Sequence, residues 1–176
     1  MKRFLIGVSW TVVLQAGCAA LLIAGWLVLD PLWIAENFLQ PLLLTQTANE
    51  DYINGLKAML IAAGAAIFAV NAVGCIAWQL KAAWSRIDGP GQAARLRWTG
   101  WLLFFSLGLI LSWGAAYYFL QYNNTLVRED ALLELYAIGT VMFIVLYFIC
   151  TLFPTAPKFR PAVPLGTWIS ALPGYS

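Results

Sequence analysis

Two carboxamides, Gln15 and Asn71, stand near the middles of long apolar runs, where few side chains could do anything but pack. An amide in hydrocarbon needs a partner, and a hydrogen bond between neighbouring helices contributes on the order of 0.6–2 kcal/mol. If the two runs are antiparallel neighbours, Gln15 and Asn71 lie at comparable depth and can bond each other, fixing a register. The other chemistry open to them is recognition of a polar substrate, since polar groups inside membranes concentrate at functional sites. Ser106 and Ser112 would extend such a path.

Other chemistries lack their residues. The chain has no histidine, which excludes imidazole bases, haem ligation by histidine and His-containing zinc sites. Cys18, Cys75 and Cys150 fall on three separate runs without a C-x-x-C pair, and buried single cysteines behave as small apolar side chains. No Asp, Glu, Lys or Arg lies deep in a run, which argues against an ion or proton relay. Glu134, at the end of the fourth run, reads as an interfacial charge. Nor is there a Ser/Lys or paired-carboxylate constellation or a glycine-rich phosphate loop. The expectation is a chain with no catalytic, cofactor-binding or metal-binding residues, and hence not an enzyme.

The elements that position Gln15 and Asn71 follow from composition. Of 176 residues, 62% are hydrophobic and 10% charged, against about 25% charged in an average soluble domain. With a mean hydropathy of +0.78, a soluble enzyme is excluded. A spanning helix needs about 20 mostly apolar residues, and four runs qualify: Phe4 to Leu29, Ala58 to Leu80, Trp98 to Leu120 and Ala131 to Phe153. The fold class is an all-α membrane protein: a four-helix transmembrane domain over 1–153 and a Pro-rich tail over 154–176. Trp26, Trp78, Trp98, Trp101, Tyr117, Tyr118 and Tyr122 cluster near the span ends, as an interfacial aromatic belt does. Met1-Lys2-Arg3 before an apolar run resembles a secretory signal, and Leu14-Gln15-Ala16-Gly17-Cys18 a lipoprotein box. Gln15 occupies the box's aliphatic position, however, and the run continues past Cys18, so the segment reads as an uncleaved span.

Four spans put both termini on one side. That side holds eight of the ten Lys and Arg residues but only Asp88 of the eight acids, so the two faces carry about +7 and −5. The positive-inside rule then makes both termini cytoplasmic, in what reads as a bacterial inner membrane. The basic residues are dispersed and topologically explained, so no nucleic-acid partner is expected.

Small residues recur at every fourth position: Ala16, Ala20 and Ala24 on the first span, Ala62, Ala66 and later Gly74 on the second, Gly108, Ser112 and Ala116 on the third. Such rows let helix backbones approach closely in lipid. Span four, with Met142, Phe143, Tyr147 and Phe148, is bulkier and fills grooves or faces lipid.

The connections carry patterns of their own. Trp33 to Leu44 reads as a short helix in the outer interface, either a lid on the bundle or a docking helix. Asp88-Gly89-Pro90-Gly91 marks a turn between two helices. Asn123-Asn124-Thr125 matches a glycosylation acceptor, a common chance pattern. The tail, with five of the eight prolines, reads as extended and carries Phe159, Trp168, Ile169 and Tyr175. It either docks on a partner or lies back on its own bundle. By elimination, the sequence reads as a non-catalytic structural or assembly subunit of a membrane complex, such as a secretion or conjugation machine. The partners expected are lipid and other membrane subunits, or further copies of itself. The alternative is a small transporter or channel component with a polar path near Gln15 and Asn71.

Overall fold

The computed structural model describes residues 2–28, 50–122 and 127–167, with side chains throughout except at 2–4, 22–28, 50, 52, 90, 122, 130 and 157. The expected outer helix from Trp33 to Leu44, the Asn123-Asn124-Thr125 match and the tail residues Trp168, Ile169 and Tyr175 lie outside the described residues. The described chain is almost wholly helical: α1 (Lys2–Val28), α2 (Glu50–Trp84), α3 (Pro90–Leu96), α4 (Leu102–Tyr117) and α5 (Glu129–Leu152). A π-helical turn, Arg97–Trp101, joins α3 to α4, and a second, Tyr118–Tyr122, ends that rod. Among the described residues, three stretches are long and apolar enough to cross a membrane, Ile53–Trp84, Gly91–Gln121 and Ala131–Leu152, and Leu5–Leu21 within α1 is a shorter apolar helix. The protein is a mostly helical, multi-span membrane protein.

The helices overrun the uncharged runs. α2 begins at Glu50 and ends at Trp84, beyond the expected Ala58 to Leu80, because a charge at the membrane surface ends hydrocarbon without ending a helix. Residues 85–88 are non-helical and lead to Gly89-Pro90. Gly89 is extended, and Pro90 starts α3 at a position whose N–H would be unbonded anyway. The Asp88 N–H donates to Gln92 Oε1 at 2.9 Å, closing the turn.

Side-chain neighbours fix the topology. Gly7 lies by Gln79, and Gln15 bonds Asn71, so α1 and α2 run antiparallel. Ile67 meets Gly139 and Asn71 meets Phe143, so α2 and α5 run parallel. Gly108 against Phe143 and Trp113 bonded to Thr140 at 2.8 Å make α4 antiparallel to α5. α2 is central, packing on α1, α4 and α5. One end of the bundle carries Lys81, Arg86, Arg95, Arg97, Lys158 and Arg160, and the other Asp51, Glu129 and Glu134. They are called the basic and acidic ends below.

Each end has its core. The acidic end packs Leu56, Ala63, Ala116, Leu120, Val127 and Leu132. The larger cluster, toward the basic end, is aromatic: Trp101 stacks on Phe105 with centroids 5.4 Å apart, and Phe143 on Tyr147 at 5.8 Å. Gly108, Ser112 and Ala116 are buried and form the inward row of α4. Gly74 faces Tyr147, while Ala62 and Ala66 are only half-buried beside buried Ala63 and Ile67. On α1 the expected row is misplaced. Ala16 and Ala20 are exposed, the Ala24 side chain is not described, and the inward row is Gly7, Thr11 and Gln15. A lone amide dictates the inward face more strongly than alanines do, because alanine costs nothing against lipid.

The tail also differs from an extended segment. Pro157–Ala162 forms a 3-10 helix with Pro161 inside it, and Ala162 and Val163 are wholly buried. Phe159, expected to meet a partner, packs against the chain's own core. Proline removes donors, and the carbonyls this leaves are met from elsewhere. The Arg97 guanidinium donates to the Pro161 and Ala162 oxygens. Leu165 takes a positive φ of 60°. At Gly166 a Cβ would stand 1.9 Å from the Arg160 oxygen, so only glycine fits.

Candidate functional site

α1 and α2 bring the two mid-span amides together. Gln15 Nε2 donates to Asn71 Oδ1, and Asn71 Nδ2 donates to the Phe143 carbonyl on α5 at 3.1 Å. Cys75, one turn along α2, points its thiol at the same Asn71 oxygen, 3.5 Å away. Asn71 is wholly buried and ties three helices at one depth. Among the described residues, Gln15 Oε1 is buried and has no hydrogen-bond partner, and the same holds for Ser112 Oγ on α4. Ser106 is exposed, so the expected polar path does not extend to it.

A turn closer to the basic end, Thr11 Oγ1 donates to its own Gly7 carbonyl at 2.9 Å and lies 3.5 Å from the Cys150 carbonyl. A polar ladder along α5 continues from there. Trp101 Nε1 donates to Thr151 Oγ1 at 2.9 Å, and Trp78 Nε1 to Thr155 Oγ1 at 2.8 Å. Both hydroxyls donate onward to carbonyls one turn back, Tyr147 and Thr151. Gln79 reaches Thr155 from α2 at 3.4 Å, and the Tyr147 hydroxyl reaches the Trp101 carbonyl at 3.3 Å. Serine and threonine hydroxyls in membrane helices satisfy themselves on the preceding turn and still accept a bond. Among the described residues, the ladder therefore pairs both buried indole N–H groups, those of Trp78 and Trp101.

The sequence reading missed this ladder and Thr11. Its visible signal was the i, i+4 spacing of Thr151 with Thr155 and of Gly7, Thr11 and Gln15, which sets polar groups on one helix face.

Two clefts open at the basic end. One is lined by Lys81, Arg86, Asp88 and Arg95, the other by residues of α1 and of the chain after α5, including Lys158 and Arg160. Neither is lined by Gln15 or Asn71. Among the described residues, no three His, Cys, Asp or Glu side chains gather where they could hold a metal ion. No protein-family model matches the chain, and neither does any curated protein or solved structure.

Proposed function

We propose that this chain is a non-catalytic structural or assembly subunit of a multi-protein inner-membrane complex, a secretion or conjugation machine being one setting. The observation that carries the reading is the use made of Asn71, whose amide accepts from Gln15 and donates to Phe143 within the chain. Its hydrogen bonding goes to helix register, and the indoles of Trp78 and Trp101 are likewise paired internally. In the same proposal α1, at 27 residues or about 40 Å, is the fourth crossing. Both termini then lie with the basic end in the cytoplasm. The test is purification of the full chain from its native membrane in mild detergent. We expect it to elute in an assembly several times its own 19.4 kDa, with the same membrane proteins recovered each time. A lone, monodisperse chain would overturn the reading.

One observation favours the alternative, a small transport component: the buried Gln15 Oε1 leaves an acceptor open at mid-depth. Replacing Asn71 with Leu separates the two. On the structural reading Asn71→Leu loses two interhelical bonds and lowers stability by about 1–3 kcal/mol, read as thermal unfolding in detergent, while the complex still assembles. Unchanged stability with function abolished would instead favour transport.

A further inference from the structure

The cleft between α2 and α3 is small, about 290 Å³, and its charge is unbalanced. Lys81 lines it from the end of α2, Arg86 and Asp88 from the turn, and Arg95 from α3. Three cations thus face one carboxylate. Among the described residues, no side-chain hydrogen bond or ion pair engages Lys81, Arg86 or Arg95, so Asp88 can neutralise only one of them and two positive charges remain. The lysine is held where it stands. A Cβ on Gly100 would come 3.3 Å from Lys81 Cγ, so the bare backbone there lets the lysine stem lie against the π turn while the residue as a whole stays exposed.

Two tryptophans mark the depth of this cleft. Trp84 is 82% exposed and Trp98 72%, one three residues after Lys81 and the other three after Arg95, so each shares a helix turn with a cation. Exposed indoles belong at the boundary between hydrocarbon and water. Gly100 lies beside Trp78 and Lys81, and counting back along the antiparallel helices puts Trp98 near the level of Lys81 and Trp84 near that of Arg95. The cations therefore stand in the headgroup layer. A dissolved anion makes no use of that depth, whereas the phosphate of a phospholipid lies at it, and basic pockets between helices at the membrane surface recognise such headgroups.

We infer that this cleft binds the headgroup of one anionic phospholipid, its phosphate held by Lys81, Arg86 and Arg95 and its acyl chains outside in the bilayer. The inference rests on the membrane fold, independently of the subunit reading. The cleft is just under the roughly 300–1,000 Å³ of sites that enclose a whole ligand, which suits a headgroup better than an entire lipid. A zwitterionic lipid offers the same phosphate, but the two remaining charges repel its choline cation.

The test is native mass spectrometry of the full chain with dioleoylphosphatidylglycerol and, separately, dioleoylphosphatidylcholine. One phosphatidylglycerol should be retained preferentially. Arg95→Gln should weaken its retention about fivefold and leave phosphatidylcholine unaffected, with Arg86→Gln, in the non-helical turn, repeating the measurement. Both side chains are exposed, so the variants keep the fold, which an unchanged melting temperature checks. Lys158→Gln, at the same end but outside this cleft, should have no effect. Equal retention of the two lipids, no loss in either arginine variant, or an equal loss in Lys158→Gln, which marks a diffuse field, would overturn the inference. So would displacement of the lipid by inorganic phosphate, which marks a free-anion site, or retention that appears only once residues 168–176 are removed, which makes the tail the occupant.

Discussion

Truncating the chain after Lys158 should lower its stability in detergent by about 3–5 kcal/mol, seen as an earlier thermal transition and red-shifted tryptophan emission. Two losses add. The wholly buried Val163 and Ala162 leave the aromatic core, and burial of a side chain the size of valine stabilises by about 1.5–3 kcal/mol. Arg97 also loses its acceptors on Pro161 and Ala162. Bonds to a charged group contribute about 1.5–3 kcal/mol, taken here at the lower end because Arg97 is half-exposed. Trp78, which packs in the same cluster, becomes wet, hence the emission shift. Truncation after Thr167 keeps every one of these contacts and is the control for length. A chain cut after Lys158 that melts with the full-length protein would show that the folded-back segment contributes nothing to the bundle.

Gly108→Leu should be nearly as damaging. Even the first carbon of a side chain there would stand 2.6 Å from Phe143 Cζ, and the ring has nowhere to go. Phe143 is wholly buried, stacked on Tyr147 and 5.9 Å from Phe105. α4 and α5 must therefore separate, costing the overpacking penalty of about 1–3 kcal/mol for a tight core and loosening the Trp101–Thr151 bond. Gly108→Ala should show the same effect at smaller size. Paired with Phe143→Leu it should recover part of the lost melting temperature. If Gly108→Leu and the wild type melt together, the close approach of the two helices is not a source of stability.

The spans were legible because hydrocarbon thickness imposes an apolar run of known length, and α2, the α3–α4 rod and α5 lie where those runs lie. Gln15 and Asn71 were legible as a pair for a related reason: an isolated amide in lipid has few ways to be satisfied, and equal depth on antiparallel helices was one. The inward face of α1 was not. Spacing alone marks Ala16 and Ala20 as readily as Gly7 and Thr11, and only the partner's shape decides. The π turns at Arg97–Trp101 and Tyr118–Tyr122 leave no apolar signature, since they change the number of residues per turn without changing their polarity. The proline-rich segment misled most. Prolines rule out a regular α-helix, yet the carbonyls they leave free can be met by a side chain 64 residues away, as Arg97 does for Pro161.

The placement of the buried donors and acceptors has a bearing on biogenesis. The donors come early, on Trp78, Arg97 and Trp101, and their acceptors come late, on Thr155, Pro161 and Ala162, and Thr151. A chain is made from its N-terminus, so α2 and the α3–α4 rod enter the bilayer with two indoles and a guanidinium still unmatched. The hairpin of α2 and α4 can be threaded by the insertion machinery, but it cannot close at the basic end until the last quarter of the sequence emerges. Completion of the bundle thus waits on the segment that carries Thr151, Thr155, Pro161 and Ala162, and a nascent chain stalled before it would present its tryptophans to whatever stands beside it in the membrane.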